Sequence, residues 1–297
     1  MLWQALNRPR DTKPPKTLPS IKNNLAGVAT EKPVITWFGH SSYLLCINGK
    51  NILVDPVFSG HASPFSFSVK SFAGADVFTV DDLPKIDILL LTHDHYDHLD
   101  YETLLQLKDK AGVVCTSLGV ASHLIYWGFD ANKIMEFDWQ DSKTIAGNVT
   151  ITAAPARHFS GRGLVRAKTL WSSFILQTGG YTLYLGGDSG YDTHFKKIGE
   201  AFGPFDIAIL ECGQYNANWP QIHMMPEETV QAAIDLRAKV LLPVHWGKFA
   251  LALHPWDEPI RRVTARAAQL GVNTTTPMIG EQVVLGQHYP DARWWES

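Results

Sequence analysis

Cysteine is scarce in this chain of 297 residues, which contains only Cys46, Cys115 and Cys212. Three widely separated cysteines argue against a disulfide framework and are compatible with a reducing compartment. They also lack the close spacing of a cysteine-based zinc site, so we expect them to pack in the core. The cysteine content therefore favours a cytoplasmic protein, with peripheral contact to a membrane left open.

Long apolar runs and a strong net charge are absent as well. No window of the sequence reaches the roughly 18 consecutive apolar residues that a membrane-spanning helix needs. The net charge of −3 gives no general reason to expect nucleic acid as a partner. With 45% apolar and 19% charged residues, the composition is typical of a soluble globular protein.

The sequence is predicted to divide into an N-terminal arm, residues 1–32, which is partly extended, and a single domain, residues 33–297. The first 24 residues carry one acid, Asp11, and a set of basic residues: Arg8, Arg10, Lys13, Lys16 and Lys22. Two interpretations stay open for this segment. It is either a solvated arm punctuated by prolines or a segment attracted weakly to anionic lipid headgroups.

Hydrophobic patterning predicts an α/β protein. Three short strands at 34–38, 43–47 and 51–54 come first, the last two joined by Asn48-Gly49, a strong tight-turn signal. From Asp87 onward, strands alternate with helices. The predicted helices are 101–108, 118–127, 226–237 and 259–269, and the later strands are 86–92, 113–116, 148–153, 172–177, 182–185, 207–210 and 240–244. We expect helices to cover the outer faces of the sheets.

The run His93-Asp94-His95-Tyr96-Asp97-His98 is the most informative feature of the chain. It directly follows the buried-strand pattern at 86–92, so we expect it in the loop that begins at the end of a strand. Imidazole and carboxylate groups together suit Zn²⁺ and other borderline divalent ions. We interpret the cluster as half of a hydrolytic site for two metal ions.

The same arrangement recurs three times further along the chain. His158, Asp188 and His245 each follow an apolar strand, and open α/β sheets place their ligand sites at the carboxyl ends of strands. Taken alone, either histidine is more often a hydrogen-bonded core residue than a metal ligand. Their shared placement and the upstream cluster favour the ligand interpretation.

From about Pro33 to Gly247 the chain resembles the metallo-β-lactamase superfamily, and within it the branch of N-acylphosphatidylethanolamine-hydrolysing phospholipase D and its bacterial relatives. The narrower resemblance lies in six motifs: Trp37-Phe38-Gly39-His40-Ser41-Ser42, Leu53–Ser59, Thr92–Leu99, Leu170-Trp171, Gly187-Asp188-Ser189-Gly190-Tyr191 and His223–Glu227. The resemblance implies a four-layer αβ/βα sandwich, with two mixed β-sheets flanked by helices and the site at one edge between them.

The resemblance also implies a ligand set for two Zn²⁺ ions, although Mn²⁺ or Fe suits the same donors. One ion would be held by His93, His95 and His158, the other by Asp97, His98 and His245, and Asp188 would bridge them. A hydroxide between the metals would be the nucleophile, with Asp97 orienting it.

Several further residues are candidates for supporting roles. His223 matches a site histidine of the family and would protonate the leaving alcohol or grip the phosphate; a surface histidine before a helix is the alternative. Asp55 resembles the aspartate that orients a ligating histidine, against a simple turn aspartate. His40 is a candidate for a similar role, with a buried structural role favoured.

Substrate contacts are less constrained by the sequence. Arg162 belongs to a glycine-bearing cationic loop that either binds an acidic group or is simply solvated, and Trp171 is a candidate for the pocket wall. Residues 57–80 form a long segment rich in phenylalanine. These rings either pack against the sheet edge or form a lid or membrane contact.

These features predict a dinuclear metal-dependent phosphodiesterase of the phospholipase D-like type, acting on a phospholipid or a smaller analogue. The alternative enzyme is a lactonase or other ester hydrolase that uses the same metals on a small substrate, phosphorylated or not. A metal-bound scaffold without turnover is a third interpretation, which the complete ligand set disfavours. The oligomeric state is not predicted.

Overall fold

The computed structural model describes residues 10–25, 31–163 and 165–297. Residues 1–9 and 26–30 of the predicted arm, Arg8 among them, lie outside the described residues. The strands are β1 (Val34–Trp37), β2 (Tyr43–Ile47), β3 (Lys50–Val54), β4 (Ile86–Leu91), β5 (Ala111–Ser117), β6 (Ile134–Phe137), β7 (Ser142–Ile145), β8 (Val149–Ala154), β9 (Ser173–Thr178), β10 (Tyr181–Leu185), β11 (Ile207–Glu211), β12 (Leu241–Val244) and β13 (Gln282–Val284). The helices are α1 (Tyr101–Leu107), α2 (Ala121–Tyr126), α3 (His194–Phe202), α4 (Pro226–Asp235) and α5 (Glu258–Leu270). None of these helices is long and apolar enough to cross a membrane.

The strands form two mixed sheets. One has seven strands in the order β13-β1-β2-β3-β4-β5-β6, and the other has six in the order β12-β11-β10-β9-β8-β7. The side chains of β4 show how the layers form, because successive residues of a strand point to opposite faces. Ile88 and Leu90 pack between the sheets, while Leu89 and Leu91 pack beneath α1 beside Leu104. Helices α3 to α5 lie on the second sheet, and this architecture confirms the predicted α/β sandwich.

Strand direction decides where the chain emerges from each sheet. Strands β3 to β6 run parallel to one another, and so do β10 to β12. Strand β8 shares their direction, because both β8 and β10 are antiparallel to β9. The carboxyl ends of β8, β10, β11 and β12 therefore meet at one edge of the second sheet, which is the edge that the ligand prediction requires.

Every predicted strand and helix is present, with ends shifted by a few residues. Hydrophobic patterning of the sequence did not predict β6, β7, α3 and β13. Strands β6 and β7 lie at sheet edges and are partly exposed, so they lack a continuous apolar run. Helix α3 contains Gly199 in its interior, and β13 has three residues, which is too short for a periodic signal.

The described part of the arm packs on the domain. Ile21 donates a backbone hydrogen bond to the carbonyl of Ile279 at 2.8 Å, and Leu18 donates to Ala73 at 2.8 Å. Leu18 and Leu25 are buried. Residues 18–25 therefore pack against the domain. Neither sequence-based interpretation of the arm included this contact.

A group of tryptophans packs beside the strand end that carries His245. Trp246 stacks on Trp37 with ring centroids 5.5 Å apart and on Trp294 at 5.0 Å. Trp37 also donates its indole N–H to the carbonyl of His40 at 2.8 Å. The cluster joins segments that are more than 200 residues apart in sequence and fixes the end of β12.

Gly280 provides a test of how the arm packs. Its φ is +86°, and a Cβ placed there would lie 1.9 Å from the carbonyl oxygen of Ile21. We expect Gly280→Ala to reduce the free energy of unfolding by about 3 kcal/mol or more, since backbone strain and overpacking add. Gly286→Ala is the matched control, because its φ is +71° but no atom lies within 4 Å of the added Cβ. The control should cost roughly 1 kcal/mol. Equal melting temperatures for the two variants would contradict the described packing of residues 18–25.

Candidate metal centre

The residues predicted as metal ligands meet at the carboxyl ends of four strands. His93 follows β4, His158 follows β8, Asp188 follows β10 and His245 follows β12. Asp97 and His98 lie further along the loop that starts at His93. All seven candidate ligands are brought into one buried region; their role as ligands stays a prediction.

Three imidazoles form the first cluster. The Nε2 atoms of His93 and His158 each lie 3.1 Å from Nδ1 of His95. Zn–N bonds of about 2.0–2.1 Å in a tetrahedral array hold their nitrogens roughly 3.3 Å apart. The observed spacing is therefore close to that of nitrogens that share one ion.

Hydrogen bonds on the far side of two rings orient them towards this point. Nδ1 of His158 donates to the carbonyl of Ile222 at 2.7 Å, and Nδ1 of His93 contacts Oγ1 of Thr92 at 2.9 Å. The Thr92 hydroxyl itself donates to Asp55, so it accepts from His93. Both rings then keep the Nε2 lone pair for a metal ion.

Asp97, His98 and His245 form the second cluster, and Asp188 lies between the two. Oδ2 of Asp97 lies 3.5 Å from Nε2 of His98 and 4.0 Å from Nε2 of His245. Oδ2 of Asp188 lies 3.2 Å from Nε2 of His98 and 3.8 Å from Nε2 of His93. One carboxylate oxygen is thus within reach of both clusters, as a bridging ligand requires.

Several buried polar atoms of these residues have no hydrogen-bond partner among the described residues. They are Nε2 of His98, Nε2 of His245 and Oδ1 of Asp188. An unpaired polar atom in a protein interior costs free energy that folding rarely leaves uncompensated. Nitrogen and oxygen donors that converge without partners fit a divalent cation, so the donor set is compatible with the implied metal ions.

The protonation states suit cation binding. Burial lowers the pKa of His93, His95 and His158, the last to about 3, so these imidazoles are neutral. Burial alone would raise the pKa of Asp188, but His245 and His98 outweigh it and hold the pKa well below its usual range. For His98, burial would lower the pKa, whereas Asp188 and Asp97 raise it. A metal ion binding at His98 would therefore displace a proton.

Asp55 supports ligands of both clusters. Its Oδ2 accepts from Nδ1 of His98 at 2.8 Å and from the hydroxyl of Thr92 at 2.6 Å, while Oδ1 accepts from the Thr92 backbone N–H at 2.8 Å. This is the orienting position that the resemblance implied. Nε2 of His40 lies 2.8 Å from Oδ2 of Asp97, so His40 is buried and hydrogen-bonded against a candidate ligand.

Three residues of the centre have an unusual backbone conformation. His40, Asp55 and His245 have φ values of 53°, 40° and 68°. Residues other than glycine seldom adopt positive φ, and such strain persists where surrounding contacts enforce it. Reciprocal backbone bonds provide part of that enforcement, since His40 donates to Trp246 and His245 donates to His40, both at 2.9 Å.

His223 lies at the centre, and its partner is a residue that the sequence analysis missed. Nδ1 of His223 lies 3.1 Å from Oε2 of Glu211, and its ring stacks on His245 with centroids 5.2 Å apart. Burial raises the pKa of Glu211 to about 7. Burial would lower the pKa of His223, but Glu211 outweighs it and raises the pKa to about 9. Glu211 ends the apolar strand β11, so the strand-end signal that identified the ligands also points to it.

Arg162 and Trp171 donate hydrogen bonds to backbone carbonyls near the candidate ligands. Arg162 donates to the carbonyls of Asp94 at 3.1 Å and Leu99 at 2.5 Å, and its guanidinium lies 4.0 Å from the ring centroid of Tyr96. Trp171 donates its indole N–H to Ala156 at 3.0 Å. Both contact sets brace backbone around the ligands, and substrate contact by either residue stays a prediction.

The phenylalanine-rich segment has both buried and exposed rings, and a lid or membrane contact stays a prediction. Phe72 and Phe78 are buried, and Phe58 packs edge-on against Phe38. Phe65 and Phe67 are 59% and 76% exposed and stack with centroids 5.5 Å apart. Two of its five phenylalanines are therefore buried and a third packs against the core, while one aromatic pair is presented to solvent.

Comparison with known proteins identifies the family. A family model described as "Beta-lactamase superfamily domain" matches residues 50–246. The chain belongs to the metallo-β-lactamase superfamily. It is 31% identical over 263 residues to N-acyl-phosphatidylethanolamine-hydrolyzing phospholipase D 1 of Caenorhabditis elegans, an alignment covering 83% of this chain and 74% of the relative. The resemblance seen in the sequence is thus confirmed.

One further relative and one solved structure are also similar to this chain. An uncharacterized protein of Mycobacterium tuberculosis is 38% identical over 287 residues, which cover 95% of this chain and 77% of that protein. The structure of Igni18, a metallo hydrolase from Ignicoccus hospitalis, superposes with a TM-score of 0.66 at 20% identity, covering 86% of this chain and all of that one. The metallo-β-lactamase sandwich is therefore confirmed, and the chain is a metal-dependent hydrolase of this superfamily.

Asp55 allows a test of the metal centre that leaves every candidate ligand in place. Asp55→Asn should weaken Zn²⁺ binding roughly 10- to 100-fold, because an amide carries no charge and has one accepting oxygen where the carboxylate uses two. Competition of the protein with a chromophoric chelator measures this affinity. Asp87→Asn is the control, since Asp87 accepts from the Asn51 backbone N–H outside the centre. Wild-type affinity in the Asp55 variant would reject its orienting role.

Proposed function

We propose that this metal-dependent hydrolase is a dinuclear zinc phosphodiesterase that cleaves the phosphate–alcohol bond of an N-acylated ethanolamine phospholipid or a smaller analogue. The observation that supports it best is the position of Asp188, whose Oδ2 lies within 4 Å of ring nitrogens from both clusters. A carboxylate so placed suits two ions held side by side. The similarity to the Caenorhabditis elegans phospholipase D supports the substrate class.

Two divalent ions held by these residues would supply Lewis acidity and lower the pKa of bound water, which makes a nucleophile available near neutral pH. The protein contributes ligand orientation through Asp55 and His40. We assign Asp97 a second function besides ligation, because its carboxylate lies 3.5 Å from Nε2 of His98 and 4.0 Å from Nε2 of His245, where it could orient the attacking water.

His223 is the group we assign to the leaving alkoxide or the phosphate. Its Nδ1 is engaged by Glu211, so Nε2 is the ring atom left for substrate. Glu211 is itself fixed, since Oε1 accepts from the Met224 backbone N–H at 2.8 Å. A protonated imidazole held by a buried carboxylate can donate a proton or a hydrogen bond where charge develops in the transition state.

A parallel substrate panel tests the proposal. The zinc-loaded protein should hydrolyse N-acylphosphatidylethanolamine and bis-p-nitrophenyl phosphate, and Asp188→Asn should lose both activities by at least about 10³-fold because the ligand shared by the two clusters is weakened. Zinc content by elemental analysis should fall in the same variant. Much faster turnover of a lactone panel than of either diester would favour the lactonase alternative. Near-normal turnover by Asp188→Asn would reject the bridging role.

We further propose that the exposed pair Phe65 and Phe67 contacts a lipid surface. Two neighbouring aromatic rings at 59% and 76% exposure offer an apolar contact that water disfavours. The loop that carries the pair is held by backbone hydrogen bonds from Ala62 to Val69 at 3.0 Å and from Ser68 to Phe65 at 2.9 Å. A phospholipid substrate would give this contact a purpose, because the enzyme would work at the membrane interface.

Vesicle sedimentation tests this contact. Phe65→Ser/Phe67→Ser should weaken binding to phosphatidylethanolamine–phosphatidylglycerol vesicles about tenfold, because partial burial of two rings is worth on the order of 1.5 kcal/mol. Hydrolysis of bis-p-nitrophenyl phosphate should be unchanged. Leu270→Ser is the control, since Leu270 is 40% exposed at the end of α5, outside this segment. Unchanged vesicle binding in the double variant would reject the proposal.

A further inference from the structure

Lys248 is a buried cation that the metal chemistry described above does not use. It lies three residues after His245, and its side chain is 1% exposed. Burying an ammonium group is costly unless its protons find acceptors. Its Nζ donates to the carbonyl of Val57 at 2.8 Å and to the carbonyl of Phe38 at 3.3 Å, and pairs with Oδ1 of Asp76 at 3.0 Å.

The two carbonyl acceptors belong to turns that carry residues of the centre. Phe38 precedes His40 by two residues, and Val57 follows Asp55 by two. Both turns contain a positive φ, at His40 and at Asp55, and Lys248 itself follows the positive φ of His245. One ammonium group therefore ties together the three strained turns that place these residues.

Lys248 also holds the phenylalanine-rich segment against the same edge. Its side chain pairs with Asp76, and its backbone carbonyl accepts from the N–H of Phe72 at 2.8 Å. The fit is close, because a Cβ added at Gly39 would lie 3.2 Å from Cβ and Cδ of Lys248. The segment is fixed by two separate contacts to one residue.

The turns held by Lys248 serve the second cluster more directly than the first. His40 contacts Asp97, and Asp55 contacts His98 directly, whereas Asp55 reaches His93 of the first cluster only through the Thr92 hydroxyl. Around the first cluster, His158 is oriented by the Ile222 carbonyl and His93 by the Thr92 hydroxyl, and neither group contacts Lys248. Removing the Lys248 ammonium group would therefore disturb the positions of Asp97, His98 and His245 before those of the first cluster.

We propose that Lys248 is a positioning residue that sets the affinity of the second metal position, held by Asp97, His98 and His245, through the turns of His40 and Asp55. This inference rests on the dinuclear centre of the proposed function. The added claim is that the two metal positions depend to different extents on Lys248, which belongs to neither candidate ligand set. Lys248 acts through the backbone and is not a catalytic residue.

The test is a metal titration of the apo-protein with Zn²⁺ or Co²⁺ alone. Wild type should bind two ions. Lys248→Met, which keeps the length and removes the donors, should bind one ion with wild-type affinity and the second at least about tenfold more weakly. Lys248→Gln is shorter and keeps a donor, so it serves if the methionine variant does not fold, and the same preferential loss is expected.

Two controls separate positioning from general stability. Lys239→Met removes a lysine from an exposed pair with Asp206 at 2.7 Å and should leave both metal affinities unchanged. Asp76→Asn keeps the two carbonyl contacts of Lys248 and loosens only the phenylalanine-rich segment. It should bind both ions normally while proteolysis within residues 60–75 becomes faster.

The outcomes are distinguishable. Wild-type affinity at both positions in a folded Lys248 variant, or equal weakening of both, would overturn the inference and leave Lys248 a core residue. Two ions bound by wild type without diester hydrolysis would reject the phosphodiesterase proposal and leave the positioning role intact. A single ion bound by wild type would reject both.

Discussion

The architecture around the metal centre depends on the desolvation free energy of imidazole and carboxylate groups that are buried together. His93, His98, His245 and Asp188 are almost fully withdrawn from water, and three of their donor atoms have no hydrogen-bond partner among the described residues. Such an interior is sustained where a cation compensates the lost solvation and where neighbouring groups hold each ring in place. The contacts of Asp55, His40 and Thr92 follow from that requirement.

Parallel strands explain how distant segments meet this requirement. Side chains that follow β8, β10, β11 and β12 arrive at one edge because these strands run in the same direction, and the loop after β4 reaches them from the other sheet. The price is local strain, since His40, Asp55 and His245 turn the chain through positive φ immediately beyond their strands. Backbone bonds between His40 and the His245 segment, and the buried ammonium of Lys248, stabilise those turns.

Local hydrophobicity placed the run at 93–98, His158, Asp188 and His245 after apolar strands, and the resemblance to the family implied the full ligand set. Local hydrophobicity also predicted most strands and helices. Glu211 was missed although it ends an apolar strand, because its pairing with His223 is not visible in the sequence, and Lys248 was missed because its partners Phe38 and Val57 are about 200 residues away. The edge strands β6 and β7 were missed because a partly exposed strand has no continuous apolar run.

The tryptophan cluster beside His245 has a consequence for how the protein matures. Contacts among Trp37, Trp246 and Trp294 close loops of roughly two hundred residues, and a large sequence separation between contacting residues slows folding. Until these tryptophan contacts form, we expect the imidazole ring of His245 not to be held in its final orientation. Metal ions would then bind the finished native state, so their supply would shift the folding equilibrium and slow degradation of the newly made chain.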